Sequence, residues 1–346
     1  MTKILHSNER IQWVDAMRGF SMLIVVLGHV FLSMGIGGYS SFISSLLLTF
    51  RMPLFFFVSG FFSYRVIKWW NKNRLLDIFK RKFQAQIIST VLFCVVYQCV
   101  MWGGVDLSHG FGGYWFTIVL FQMWLVYLLF SLTSRLIKKD LALPLMVVAS
   151  VVCLYVIAFN KGESWLWEFL CWENLTKYFQ FFTFGLVLSK YRDYMWSLLQ
   201  NNIVVITSIC GWIVCMMLWY SPSFMQSCPL LYSVMHDVVV RYCGLMTVVI
   251  MFFGSASKFS DESRMSRLLR FIGRRTLDIY MIHYFLIPDL SFFKPWISSG
   301  NMIVFQLLIG IAVTVMIVAL SLLVSSILRR NRYMESWLFG VRIRAR

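Results

Sequence analysis

Apolar runs of about twenty residues recur along this chain, and no other feature restricts its fold so strongly. They fall at roughly 13–34, 42–64, 83–102, 115–135, 141–158, 173–189, 203–220, 231–254, 272–293 and 302–328. A helix of that length crosses the roughly 30 Å hydrocarbon core of a bilayer. Lipid offers no hydrogen bonds, so a chain within it must pair its backbone inside helices or a sealed barrel. The runs lack the period-two alternation of barrel strands. The expected fold is all-α: a polytopic integral membrane bundle of about ten transmembrane helices, forming a single domain over residues 1–346. A composition of 59% hydrophobic and 14% charged residues lies outside soluble norms and agrees.

The formal charge of +17 first suggests a polyanionic partner, but its distribution argues otherwise. Lysine and arginine gather at the N-terminus, in 65–82, 134–140, 190–202 and 255–275, and in the tail after residue 328. The intervening loops hold only Lys161 and Lys294. Basic loops stay cytoplasmic, so both termini are expected in the cytoplasm, with an even number of spans. Topology explains the charge, the lipid bilayer is the expected partner, and no nucleic acid is expected.

The first run carries Asp15 and Arg18 and no A-x-A-like site follows it, so it reads as a span and not as a cleaved signal. Eight cysteines show no zinc spacing, and no metal is expected. Cys171 and Cys228 both fall in the loops opposite the basic ones, where a disulfide is open to them without spacing fixing the pair.

Within the first run Arg18 and His29 lie eleven residues apart, with Asp15 just before them. Eleven residues make three helical turns plus about 20°, so both side chains share one face, about 16 Å apart along the axis. Ionisable groups inside a span are costly and mark function by default. A structural account exists for each singly: Asp15 and Arg18 as an i, i+3 interfacial pair, His29 as a hydrogen bonder to a neighbouring helix. Their common face favours chemistry, and histidine suits proton removal near neutral pH. In the second run, FRMPLFFFVSGFF (50–62), Arg51 needs a partner or a cavity, while Pro53 and Gly60 permit a kink or close helix approach. Ser59 has no adjacent base in the sequence and reads as packing.

Taken together, Asp15, the Arg18-x10-His29 spacing, Phe50, Pro53, Phe55 to Phe57, Ser59 and Gly60 make the chain resemble the bacterial membrane acyltransferase-3 proteins. Trp115-Phe116 after a glycine-rich loop and GRRTLDIYMIH (273–283) extend the resemblance over the whole layout. Members of that family O-acylate cell-surface polysaccharides and related envelope molecules. The family often carries an R-x-x-R pair after the second span; here KRKFQ (80–84) places Gln84 in the second position.

The resemblance implies a membrane O-acyltransferase, most simply an O-acetyltransferase, in the bacterial cytoplasmic (inner) membrane. Acetyl-CoA or another acyl-CoA is the implied donor, and a saccharide or glycolipid hydroxyl on the far side the acceptor. His29 is then the general base, supported by Arg18 and Asp15, while Arg51, Lys80, Arg81 and Lys82 suit the donor's phosphates. Acceptor-side candidates are the i, i+4 pair Glu173 and Lys177, then Asp237 and Arg241 beside His236, with Trp115 and His283. His283 and Asp278, five residues apart, share a face poorly, and His283 reads as a bundle hydrogen bonder. Two alternatives stand: a proton-coupled transporter or flippase relaying through Asp15, Arg18 and His29, and a same-family enzyme acting on a lipid, peptidoglycan or small molecule. The lack of an internal repeat weighs against the transporter.

Overall fold

The computed structural model describes residues 12–37, 41–67, 72–106, 110–159, 164–219, 235–256, 259, 263–293 and 303–341. Among the described residues every element is helical. In chain order these are α1 (Gln12–Ser33), α2 (Phe42–Ile67), α3 (Lys72–Phe83) running through a π turn (Gln84–Ile88) into α4 (Ser89–Trp102), α5 (Trp115–Leu136), α6 (Ala142–Phe159) and α7 (Trp165–Phe169). Next come α8 (Trp172–Lys190), α9 (Arg192–Leu199), α10 (Asn202–Trp219), a π turn (Met235–Val240) leading into α11 (Arg241–Gly254), α12 (Arg264–Arg274), α13 (Thr276–Ile282), α14 (Ile303–Leu328) and α15 (Arg332–Phe339).

Helices therefore occupy the described parts of the apolar runs, but among the described residues fewer than ten are long and apolar enough to be a span. Among the described residues five are long and apolar enough to cross a membrane: Gln12–Ser33, Phe42–Tyr64, Leu75–Trp102, Gly112–Leu136 and Ile303–Leu328. A sixth arises if α9 and α10, bent by 73°, act as one. The chain is a multi-pass membrane protein with these at its core. Of the other expected spans, 141–158 and 231–254 appear as shorter apolar helices. The helix over 173–189 is present, but Glu173, Asn174, Lys177 and Gln180 make its first half polar.

The run 272–293 is not one helix. It breaks at Arg275, continues as α13, tightens into a 3-10 turn over His283–Leu286, and becomes extended at Ile287 (φ −74°, ψ 113°). Pro288 explains the last break, because the residue before proline is pushed out of the helical region. The freed strand is held by α1: the Ser33 hydroxyl donates to the Pro288 carbonyl and accepts from the Leu290 N–H at 3.2 Å. Irregular backbone survives in a membrane protein where protein covers it in this way.

Side-chain polarity shows the bundle is built for lipid. On α14 the buried stripe is Gln306, Gly310, Thr314, Ile317, Val318, Ser321 and Ser325, mostly small or polar, while Val304, Leu308, Val315 and Leu323 face outward. Small and polar residues inside with aliphatic residues outside invert the soluble pattern, as helix association in lipid requires. At the centre stands α1, with Val14, Met17, Met22, Val26 and Val30 fully buried. It packs on α12, α2, α14 and α13, while α2 makes its most extensive contact with α8. That contact is backbone to backbone. A β-carbon at Gly60 would overlap the Phe182 carbonyl, and one at Gly185 would overlap that of Phe57. The close approach expected of Gly60 is thus present.

Candidate active site

Arg18, Met22, Val25 and His29 recur along α1 at helical spacing, and all four line one cavity of about 560 Å³. The shared face expected from the sequence is the wall of that cavity, which follows α1 for about 16 Å. Its volume lies within the range of small-molecule sites. Arg51, Phe55 and Ser59 from α2, Arg81 and Lys82 from α3, and Gln86 from the π turn face it as well. Trp115, Tyr178, Tyr280 and Tyr284 supply aromatic wall.

One end is cationic. Arg18 and Lys82 share a side chamber of about 120 Å³ with Ser59, Ser63 and Gln86. The Lys82 ammonium lies 5.1 Å from the centroid of the buried Trp124 ring, a cation–π contact that steadies it. The π turn puts Gln86 on the same wall as Lys82, and Ser89 donates to the Gln84 carbonyl at 3.0 Å across the widened turn. Such turns concentrate at functional sites. Gly340, which closes α15 at φ 64°, completes this edge against Arg81 and Ala85.

The other end holds the histidine. His29 Nε2 lies 3.1 Å from the Tyr284 hydroxyl, and its ring centroid is 5.4 Å from that of His283. Arg51 belongs here and not with the other cations. A β-carbon at Gly28 would overlap its guanidinium, so the glycine is what admits Arg51 against α1 next to His29. An imidazole and a guanidinium at one end and two cations at the other can seat an elongated anionic molecule with its reactive end at the histidine.

The remaining sequence candidates divide. Trp115 lines the cavity and stacks on Tyr178, with centroids 5.7 Å apart. Arg241, buried in α11, stands over that Tyr178 ring, its guanidinium 5.2 Å from the centroid. Asp15 is buried but does not line the cavity; its carbonyl packs on Gly273. Lys80 is exposed and Glu173 is exposed, and neither they nor Lys177 line the cavity. His283 is fully buried, and its Nδ1 lies 3.0 Å and 2.8 Å from the carbonyls of Ile279 and Tyr280, one turn back on its own segment, so these bonds are local to that segment. His236 and Asp237 sit in the π turn before α11, and their side chains, like Cys228, lie outside the described residues.

Tyr284, Tyr280, Tyr178 and Gln86 were not singled out from the sequence. Their signals were partial. Tyr280 and Tyr284 repeat at i, i+4 just after Gly273, and Gln86 lies four residues after Lys82.

No curated relative and no solved structure matches this chain. The acyltransferase domain of the acyltransferase-3 family, however, matches residues 11–330. That match takes in α1 through α14 and every helix that bears on the cavity except α15, and the chain belongs to the acyltransferase-3 family, as a membrane acyltransferase.

Proposed function

We propose that this protein moves a short acyl group, most simply acetyl, from acyl-CoA to a hydroxyl of an envelope saccharide or glycolipid. The observation that carries this reading is the single cavity with Arg18 and Lys82 at one end and His29 at the other. An extended pantetheine arm is of the order of the 16 Å between those ends along α1. With the donor's phosphates on Arg18, Lys82 and Arg81, the thioester comes to rest beside His29. In this reading the basic loops face the cytoplasm of a bacterial inner membrane, both termini lie there, and the acceptor enters from the far side.

His29 takes the proton of the acceptor hydroxyl as its oxygen attacks the thioester carbon. The carbonyl oxygen becomes an oxyanion, and Arg51 is the cation at hand to stabilise it. The C–S bond then breaks, the sulfur leaves with the proton from the imidazolium, and the products are the O-acyl ester and CoA thiol. Trp115 and Tyr178 offer a stacked aromatic face suited to a sugar ring.

Inside-out membrane vesicles given radiolabelled acetyl-CoA test this. Label is expected in a saccharide-bearing fraction, and none with His29→Ala or Arg18→Ala at equal protein abundance. Full transfer by a folded His29→Ala protein removes the mechanism, and label confined to phospholipid or peptidoglycan reassigns the acceptor.

A further inference from the structure

We propose that Tyr284 is a positioning residue that fixes His29 as the tautomer protonated on Nε2, leaving Nδ1 as the nitrogen that accepts the acceptor's proton. The inference rests on the reading of His29 as the base and specifies which atom acts.

The Tyr284 hydroxyl oxygen makes two polar contacts, one to the Gly113 carbonyl at 2.9 Å and one to His29 Nε2 at 3.1 Å. Each contact requires a proton between its heavy atoms, since two lone pairs facing at that distance repel. The phenol has one proton and the carbonyl has none. Only one assignment places a proton in both: Tyr284 donates to Gly113, and His29 Nε2–H donates to Tyr284. The alternative, Tyr284 donating to His29, sets a bare phenol oxygen against a bare carbonyl oxygen. A second tyrosine follows the same logic. The Tyr280 hydroxyl accepts from the Phe116 N–H at 3.2 Å and donates to the Gly113 carbonyl at 2.8 Å. Gly113 thus receives both hydroxyls on its two lone pairs, which fixes the direction of the chain.

The support is rigid. A β-carbon at Gly113 would overlap the Tyr284 phenol, so glycine is what admits the ring. The rings of Tyr114 and Tyr97 stand 4.9 and 6.2 Å from it, and Tyr114 is itself tied to the Met281 carbonyl at 3.1 Å. With Nε2 committed, the nitrogen that His29 has left for the cavity is Nδ1. A histidine's reactive nitrogen is set by the hydrogen bond the other one makes. His283, whose Nδ1 faces two carbonyls, is held as the opposite tautomer.

Histidine ring-nitrogen NMR of the full chain in lipid nanodiscs tests the assignment, with the His29 signals identified by their loss in His29→Gln. The expected result is a protonated Nε2 and a bare Nδ1 in neutral His29; the reverse pattern overturns the inference and leaves the base reading intact. Tyr284→Phe keeps the ring and removes only the hydroxyl. With acetyl-CoA as donor its kcat is expected to fall about tenfold or more while KM for acetyl-CoA stays within about twofold. An unchanged kcat overturns the positioning role, and full transfer by His29→Gln sinks the base reading itself.

Discussion

Arg329 grips the Asp278 carboxylate with two hydrogen bonds, Nη2 to Oδ1 at 2.7 Å and Nε to Oδ2 at 2.9 Å. The Asp278 side chain is 2% exposed, and it also accepts from Arg275 at 3.1 Å and Ser325 at 2.5 Å. Arg329 reaches on to Glu335 at 2.9 Å. One carboxylate therefore joins α13, the end of α14 and, through Arg329, α15. Because α13 carries Tyr280 and leads into the turn bearing Tyr284, this cluster holds the frame behind His29.

Asp278→Ala leaves two guanidinium groups facing a hole. Removing one partner of a buried ion pair costs about 3–5 kcal/mol, so thermal unfolding in detergent is expected several degrees lower. Replacing Arg329 as well, with Asp278→Leu and Arg329→Met, removes the more buried of the two stranded charges and leaves the more exposed Arg275 to solvent, so it should recover part of the loss. If Asp278→Ala melts like the parent protein, the cluster has no structural role.

Gly28→Ala tests the seat of Arg51. The added methyl occupies the position of the guanidinium and drives it from its place beside His29. Displacing a positioned group by about 1 Å can cost about a hundredfold in rate. The expected result is a large fall in kcat with donor affinity retained, since Arg51 lies at the reacting end and not at the phosphate end. A loss in KM for acyl-CoA alone would put Arg51 back with the phosphates.

The α1 face was legible because it needs only helical periodicity and the cost of charge in lipid, and Arg18 and His29 do share one wall. The glycine approach at Gly60 was legible for a similar reason: a small residue in a span means contact. The break at Pro288 was readable in principle, but continuous apolarity over 272–293 masked it. Tyr284 was not readable, because its meaning arises only when α13 is laid against α1. Glu173 and Lys177 formed a good local pair in the sequence, yet the cavity wall on α8 is Tyr178, one residue on and about 100° round the helix. The same rotation divides the basic triplet: Lys82 is half-buried on the cavity wall, Arg81 is exposed at the cavity edge, and Lys80 is exposed away from it.

The strap α15 lies beyond the matched residues, yet it forms part of the cavity edge. Gln84 donates to the Ser336 carbonyl at 2.9 Å and the Ser89 hydroxyl oxygen lies 3.3 Å from the Trp337 carbonyl, so the π turn and the strap are in direct contact. Ending the chain after Asn331 removes Gly340 from beside Arg81 and Ala85 while leaving Arg329 and its bonds to Asp278. The donor end then opens to water, and KM for acyl-CoA is expected to rise about tenfold with a smaller change in kcat. A truncated protein with unaltered KM would show the strap to be packing alone.

Lys80 and Lys82 give the cleanest separation of anchoring from binding, because they are two residues apart on one helix with the same side chain. Lys82 lines the cavity beside Arg18 over the Trp124 ring, whereas Lys80 is exposed on the surface of α3. If the cationic end seats phosphates, Lys82→Ala removes a charge-assisted hydrogen bond of about 1.5–3 kcal/mol and weakens acyl-CoA binding by roughly ten- to a hundredfold. Lys80→Ala loses only a screened surface charge and should change binding by less than about threefold. Calorimetric titration of the purified protein with acetyl-CoA measures both. Equal losses would mean that the loop acts through its net charge, and a loss in Lys80→Ala alone would move the phosphate site out of the cavity to the surface of α3.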